Sequence, residues 1–468
     1  MKQILKISLL GLLVSLTGCS LIPDYIKPTP PVVEAFKEDG PWRLAHPADQ
    51  MPRGNWWMGF KDPILDSLEA RLDSSSLELA AALSRHDQAE ALFAGQSARE
   101  LPEVDLGGAF TTNRQSANRP LRGINQPNVY GATTIQAGLN YELDLWGRVR
   151  SAVASAQGLA EASAADVESV RLSLHAQLAN SYIQLRGLDS QILLLTDSIA
   201  AYERQAVLVG HLHDEGVVSG LDVARSQTLL EETRAQKTHA QSLRALNEHA
   251  IAVLLGESAS SFTVTPAPLV AVYPDVPVTV PSAVLQRRPD VASAERRLMS
   301  ANADIGVARA AFYPTLYLGA EGGFQNLGGA NLVSTPNSFW SLGPLAFFSI
   351  FDAGRREAVV RQATARTQEV TALYKATVLN AFKEVEDNLS LLHYLGEENE
   401  SQTRATQAAR HTYDLAMNRY REGAVSYLEV IDAENAKLRT EQAQLSIVIQ
   451  RMQADVCLLY TSPSPRDS

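Results

Sequence analysis

Two stretches of the chain alternate apolar and polar residues with a period of two, the pattern of β-strands that have one apolar face. In the first stretch, Val104, Leu106 and Phe110 take even positions among polar neighbours. After a polar loop the alternation returns at Ile135, Ala137, Leu139, Tyr141 and Leu143. The pattern predicts a β-hairpin over 102–146 and a second one over 314–352. Each run has about the length of a tilted transmembrane strand, although a half-buried soluble hairpin has the same pattern.

After each hairpin the period changes to that of a long helix. One such pattern runs from 148 to 211 without a proline, which is roughly 95 Å of helix. Its apolar side is spaced alternately four and three residues apart, the seam of a coiled coil: Leu174, Leu178, Ser181, Leu185, Leu188, Ile192, Leu195, Ile199 and Tyr202. A helix of this length is too long to be enclosed in a compact globular domain, so it must pack lengthwise on other helices.

The same elements follow in the second half of the chain, which indicates an internal duplication. Gly147 in Glu142-Leu143-Asp144-Leu145-Trp146-Gly147-Arg148 and Gly354 in Ser349-Ile350-Phe351-Asp352-Ala353-Gly354-Arg355 lie 207 residues apart. Gly216 and Gly423 keep the same spacing. We therefore predict a two-fold repeat with long helices over 148–211 and 355–421 and returning helices over 221–255 and 426–459.

The predicted organisation is a first repeat over 63–256, a proline-rich linker over 257–281 and a second repeat over 282–459. Each repeat opens with a helix, the first from Pro63 to about 100 and the second from near Pro281 to Phe312. The strand-to-helix junctions are placed at Trp146, Gly147 and Arg148 and at Gly354 and Arg355. The hairpin tips, where a partner would dock, are placed at Gly216, Gly220 and Gly423.

The N-terminus has the features of a secretion signal, with Lys2 and Lys6 before an apolar stretch. Leu16-Thr17-Gly18-Cys19 reads as a lipobox in which the Cys19 thiol accepts an acyl chain such as palmitate. A plain signal peptide with an incidental cysteine is the alternative. We predict a signal peptide over 1–18 and an extended, lipidated arm over 19–62. Ser20 favours the outer membrane, because an aspartate there commonly holds bacterial lipoproteins at the inner membrane.

Composition narrows the function classes. The net charge of −11 gives no electrostatic basis for nucleic-acid binding. The sequence has no Ser-His-Asp set, phosphate-binding glycine loop or paired catalytic carboxylates, so we predict no enzymatic activity, no catalytic residues and no cofactor besides the lipid on Cys19. The run from His211 to Glu215 is interpreted as a solvated helix end rather than a metal site. If Cys19 is acylated, Cys457, the only other cysteine, cannot form an intrachain disulfide.

Four strands cannot close a membrane barrel, because open sheet edges are not viable in lipid and the smallest common barrel has eight strands. The chain must therefore oligomerise around an axis, and its long helices would continue the barrel as a tube. The predicted fold class is a coiled-coil helical barrel combined with a transmembrane antiparallel β-barrel, with four strands from each chain.

Over nearly the whole chain, roughly residues 1–459, the sequence resembles the TolC-type outer membrane factors, most nearly the NodT/OprM-like lipoprotein channels of tripartite efflux pumps. The resemblance is carried by the lipobox, by the first junction motif, by Leu285-Gln286-Arg287-Arg288-Pro289-Asp290 and by Ala308-Arg309-Ala310-Ala311-Phe312-Tyr313-Pro314. The chain departs from the family at Ser349, where proline is common, and over 460–468, which we interpret as a non-native tail.

The resemblance implies a homotrimer with a 12-stranded barrel, located in the outer membrane and reaching into the periplasm. It implies a passive exit duct for drugs and other toxic small molecules, served by a periplasmic adaptor (membrane fusion) protein and an inner-membrane pump of the RND type. It also implies that Leu428 and Asp432 close the periplasmic end as a gate. A duct for type I protein secretion or for metal cations, and a structural envelope lipoprotein, remain alternatives.

Overall fold

The computed structural model describes residues 20–28, 55–119, 123, 125–274 and 288–461. Several predicted segments lie outside the described residues: the lipobox with Cys19, most of the N-terminal arm, the end of the linker, the start of the second repeat with Leu285 to Arg287, and the last seven residues.

The described chain contains two hairpins of strands, and each is followed by one very long and one shorter helix. The elements, in chain order, are α1 (Pro63–Ser75), α2 (Leu77–Ser97), β1 (Glu103–Arg114), β2 (Val129–Leu143), α3 (Arg148–Asp214), α4 (Gly220–Leu254), α5 (Pro289–Ala310), β3 (Thr315–Asn326), β4 (Ser338–Phe347), α6 (Arg355–Arg421) and α7 (Tyr427–Thr461). None of the described helices has an apolar run long enough to cross a membrane.

The chain divides into two compact units. Unit 1 comprises Met1–Pro28, Arg85–Ala164 and Ser293–Lys375, and it contains the strands. Unit 2 comprises Thr29–Ser84, Ala165–Ala292 and Ala376–Ser468.

The strands of unit 1 form one antiparallel sheet in the order β1-β2-β3-β4. The register puts apolar residues into one row across the sheet, Val104, Leu139, Ala320 and Leu342, and polar or small residues into the next row, Glu103, Asn140, Gly319 and Gly343. Neighbouring rows point to opposite faces, so the sheet has an apolar and a polar face. Leu106 and Trp340 are 79% and 80% exposed. Within the described residues, β1 and β4 each have one edge without a partner strand.

The fourth strand is shorter than the sequence pattern predicts. It ends at Phe347 rather than near 352. Asp352 accepts hydrogen bonds from the backbone nitrogens of Gly354 and Arg356, 3.1 and 3.2 Å away, so it serves the start of α6 and not the sheet.

The core of unit 2 forms around α3, whose predicted seam is largely buried. Leu174, Leu178, Leu185, Leu188 and Leu195 are each no more than 3% exposed. Trp56, Trp57 and Phe60, in a short 3₁₀-helix before α1, are buried in the same core as Leu174, Leu178 and Leu185. The aromatic end of the N-terminal arm is therefore part of the hydrophobic core.

The single helix predicted from Pro63 to about residue 100 is divided at Ser76. This residue is extended, with ψ 120°, and separates α1 from α2. Asp62 caps α1 by accepting from the backbone nitrogen of Ile64 at 2.9 Å, with Pro63 in the first turn. The helix expected from near Pro281 is described from Pro289 onward.

A buried ion network fixes the first part of the linker to α3 and α4. Asp189 accepts from Arg244 Nε at 2.6 Å, from Arg186 Nη1 at 3.3 Å and from the backbone nitrogen of Ala267 at 3.1 Å. The same arginines donate to the carbonyl oxygens of Val264 and Thr265 at 2.6 and 2.7 Å. The linker is thus held by buried, charge-assisted hydrogen bonds.

Candidate functional site

The first strand-to-helix junction is built by side chains that satisfy the free backbone nitrogens at the start of α3. Asp144 accepts from the backbone nitrogens of Val149 and Arg150, at 3.0 and 2.9 Å. Gly147 has φ 73°, a conformation that glycine adopts readily and other residues rarely. Arg148 donates two hydrogen bonds to Glu142, at 2.7 and 2.5 Å. The motif thus forms a tight turn that couples the end of β2 to α3.

Trp146 connects this junction to the beginning of the second hairpin. Its Nε1 donates to the carbonyl oxygen of Pro314 at 2.9 Å. Its ring stacks on Tyr313 with centroids 4.7 Å apart. Two of the four motifs that carried the family resemblance therefore contact each other through one tryptophan.

The second junction uses different residues for the same purpose. Gly354 has φ 85° and Ala353 has φ 53°. Arg355, the predicted junction residue, begins α6 but is exposed, whereas Arg356 binds Asp352 through Nε at 2.6 Å. Arg356 also lies over the Phe312 ring, 5.4 Å from its centroid. Sequence reasoning missed Arg356, although its position four residues after Asp352 could have suggested the pair.

The segment that follows the lipobox packs beside the first junction. A Cβ added to Gly306 of α5 would lie 3.1 Å from the backbone nitrogen of Ile22 and 2.7 Å from Ser151 Oγ, four residues after Gly147. Asn302 Nδ2 donates to the Pro23 carbonyl at 2.8 Å. Lys27 pairs with Glu295 at 2.6 Å. The described residues just after Cys19 are thus fixed to the helices next to the sheet.

The two hairpin tips have the same backbone closure. At the first tip, the nitrogen of Gly216 donates to His213 O and that of Val217 to Leu212 O, both at 2.8 Å. At the second tip, Gly423 donates to Tyr420 O and Ala424 to Arg419 O, both at 2.9 Å. Gly216 and Gly423 have φ 78° and 75°, so each helix ends in a Schellman motif.

The returning helix of the first tip starts with a capping box. The Ser219 and Asp222 side chains each bond to the other residue's backbone nitrogen, and Gly220 is the first helical residue. His213 Nδ1 lies 3.0 Å from Val218 O, within the tip itself. Among the described residues, no three His, Cys, Asp or Glu side chains are grouped so that they could hold a metal ion.

The outer surface of the first tip exposes apolar side chains. Val217 and Leu221 are 67% and 59% exposed. Farther along, α3 and α4 border a groove in which Arg234 pairs with Glu203 and Glu231, each at 2.6 Å. The tip and the groove are thus separate exposed features of this pair of helices.

The two predicted gate residues lie on one exposed face at the start of α7. Leu428 is 39% exposed and Asp432 is exposed as well. Tyr427, Val430 and Ile431, between and beside them, are buried in the core near the tips. The structure therefore leaves Leu428 and Asp432 free to meet another surface.

Comparison with known families decides which proteins share this arrangement of doubled hairpins and long helices. The model for the outer membrane efflux protein family matches residues 70–257 and 280–459. The chain belongs to the outer membrane efflux protein family. This confirms the resemblance drawn from the junction motifs. The family consists of outer-membrane transport channels, not of enzymes.

Individual relatives of this outer membrane efflux protein match over almost their whole length. The chain is 32% identical to the antibiotic efflux pump outer membrane protein ArpC of Pseudomonas putida, over 96% of this chain and 94% of the relative. It is also 32% identical to the pyoverdine export outer membrane protein OpmQ of Pseudomonas putida, over 96% and 95%. Among solved structures, the outer-membrane channel OprN matches with a TM-score of 0.85 and 30% identity, covering 95% of this chain and 98% of that one.

Proposed function

We propose that three copies of this outer membrane efflux protein form a passive exit duct through the outer membrane, with a 12-stranded barrel. The observation that carries the proposal is the sheet of unit 1. It has one apolar face and one polar face, and neither of its outer edges has a partner strand among the described residues. In lipid those edges must be paired, and pairing β1 of one copy with β4 of the next closes a ring without an edge.

The long helices support the periplasmic part of the duct. α3 and α6 have 67 residues each, about 100 Å of helix. α3 begins five residues after β2 ends. We propose that these helices, with α4 and α7, form a coiled-coil barrel in the periplasm, and that the two hairpins with their helices are an internal two-fold repeat.

The packing of residues 20–28 supports lipid attachment at Cys19. Ile22 lies beside Gly306 and Ser151, close to where the strands meet α3. If the strands span the membrane, this junction marks its periplasmic surface. An acyl chain on Cys19, three residues before Ile22, would then be next to the inner leaflet of the outer membrane, in agreement with a lipidated N-terminus that follows a cleaved signal peptide.

The tips supply a gate and a docking surface in this proposal. Leu428 from three copies would form an apolar plug, and Asp432 would form a ring of carboxylates that repel one another unless protons or cations intervene. The exposed apolar surface at Val217 and Leu221 would receive a periplasmic adaptor protein, which connects the duct to an inner-membrane pump of the RND type.

The cargo we propose is drugs and other toxic small molecules. ArpC and OpmQ are equally similar to this chain, at 32% identity, but they are named for different cargo, antibiotics and pyoverdine. The duct is therefore expected to accept what its pump delivers rather than to select it.

Planar-bilayer recordings of the purified protein, with its mass in detergent determined by light scattering, test the proposal. We expect channels from a species of three chains. Leu428→Ala and Asp432→Ala should each raise single-channel conductance, and the double variant should raise it most. Leu246→Ala, the same change at an exposed leucine of α4, is the control. A channel-active monomer would refute the shared barrel, and unchanged conductance in both variants would place the gate elsewhere.

The lipid can be tested separately by intact-mass spectrometry of the protein isolated from membranes. The expected mature chain begins at Cys19 and carries covalent acyl groups. A free Cys19 thiol after cleavage at another position would refute lipidation without affecting the duct.

A further inference from the structure

Near the two tips, α3, α4, α6 and α7 pack together in one apolar core, and a carboxyl group is buried there. This core contains Tyr202 and Val209 of α3, Leu229 and Leu230 of α4, and Tyr427, Val430 and Ile431 of α7, with Tyr413, Met417 and Tyr420 of α6 packed against it. Glu434 follows Ile431 on α7 and is only 4% exposed. Carboxyl groups are rarely buried to this extent unless they are paired.

The polar atoms around Glu434 leave it incompletely satisfied. Oε2 of Glu434, the hydroxyl of Tyr202 and Nε2 of Gln205 are each buried without a hydrogen-bond partner in the described part of the chain. Lys437, one turn farther along α7, places its Nζ over the Tyr413 ring, 4.7 Å from the ring centroid. A negative charge on Glu434 would therefore lie among aromatic rings, with Lys437 compensating for its burial only in part.

Titratable and charged groups of α3, α6 and α7 interact with Glu434. Tyr202 lies on α3, Tyr413 on α6, and Tyr427 and Lys437 on α7. Burial, then the Glu434 carboxylate, raises the pKa of all three tyrosines, so they stay neutral near pH 7. More remote carboxylates act in the same direction, Asp222 of α4 on Tyr427 and Glu441 of α7 on Tyr202.

Burial also raises the pKa of Glu434, to about 7, and Lys437 and Gln205 offset the rise only in part. Glu434 is therefore the group of this cluster that changes charge near neutral pH. Because its pKa is raised in the packed core, protonation stabilises packing at low pH, and this stabilisation is lost as the pH rises through about 7. The difference from the ordinary value of 4.5 limits the change in the packing equilibrium to about 300-fold.

We propose that Glu434, Gln205 and Tyr202 form a proton switch that holds α7 against α3 when Glu434 is protonated and loosens this contact when Glu434 is ionised. The ionised carboxylate gains hydration only if water enters between the helices. Leu428 and Asp432 lie on the exposed face of the same stretch of α7, so the switch regulates the gate and in this respect rests on the proposed function. The partner it binds is a proton.

Two measurements on the full-length protein in detergent or planar bilayers test the switch. The first is amide hydrogen exchange of 199–209 and 427–438, corrected for the intrinsic effect of pH, between pH 5.5 and 8.5. We expect exchange in both segments to accelerate with a midpoint near pH 7 and to become independent of pH in Glu434→Gln, which keeps the shape of the side chain but cannot ionise. Glu429→Gln removes the same charge from an exposed position of α7 and should behave like the parent.

The second measurement is single-channel conductance over the same pH range, which should rise with pH in the parent and in Glu429→Gln but not in Glu434→Gln. A pH response of hydrogen exchange that persists in Glu434→Gln would overturn the proposal. If the exchange transition depends on Glu434 while none of the proteins conducts at any pH, the switch stands and the proposed duct fails. If Glu434→Gln does not fold, Tyr202→Phe, which removes only the unpartnered hydroxyl, must shift the midpoint of exchange in both segments, and an unchanged midpoint overturns the proposal.

Discussion

Asp189→Ala tests whether the buried ion network of unit 2 holds the linker to α3 and α4. The change removes the acceptor shared by Arg186, Arg244 and the Ala267 nitrogen. The side chains of Asp189 and Arg186 are 3% and 4% exposed, so the arginine loses its partner in a nearly dry environment. Breaking a buried ion pair by deleting one partner costs about 3–5 kcal/mol.

The remaining contacts decide where in this range the effect falls. Arg186 keeps Tyr182 and Thr265, and Arg244 keeps Glu248 and Val264. Each guanidinium keeps two partners, so we expect the free energy of unfolding to fall by about 3 kcal/mol, near the lower limit. At about 2 °C for each kcal/mol in a large chain, the apparent Tm should fall by roughly 6 °C.

Thermal unfolding followed by circular dichroism, together with chymotrypsin digestion, measures the effect. Phe262 and Tyr273 are chymotrypsin sites in the linker. Cleavage after both residues should be faster in the variant, because a released linker is more accessible to the protease. Asp197→Ala, an exposed aspartate on the same helix, is the matched control and should change neither readout. Equal Tm values and equal cleavage rates in the two variants would refute the view that this network fixes the linker.

Two further changes test other contacts. Burial raises the pKa of Asp455 from its ordinary value of 3.8 to about 7, so the stability that its proton contributes is lost progressively as the pH rises from the first value to the second. Asp455→Asn should therefore raise Tm relative to the parent by more at pH 8.5 than at pH 5. Equal differences at both pH values would contradict this reasoning. Gly306→Ala should lower Tm and expose Tyr25 to chymotrypsin, because the added methyl meets Ile22, whereas Gly396→Ala, with open space around it, should raise stability by about 1 kcal/mol. Protection of Tyr25 in Gly306→Ala would show that this contact is dispensable.

The sequence predicted best what depends on periodicity. The seam from Leu174 to Tyr202 is largely buried, and the alternation over Val104 to Phe110 lies in a strand, because a regular element repeats its environment along the chain. The positions of glycines were equally informative, since Gly216 and Gly423 have positive φ and end the long helices.

Features that depend on long-range pairing could not be read from the sequence. Asp189 meets Arg244 from 55 residues away, and nothing in either local pattern points to the other. Glu434 looks like a surface residue of an amphipathic helix until the tertiary structure buries it among tyrosines. The end of the fourth strand was misplaced because Asp352 is compatible with either element, and only its bonds to Gly354 and Arg356 decide.

The two unpaired sheet edges have a genetic consequence. If each copy completes its neighbour's sheet, the barrel cannot close in any assembly that includes a chain with a defective β4 edge. When defective and normal chains are made in equal amounts, an assembly of three chains contains only normal chains in about one case out of eight. A mutant allele of this kind would therefore act dominantly in a cell that still carries an intact copy, and the degree of dominance would reveal the number of subunits.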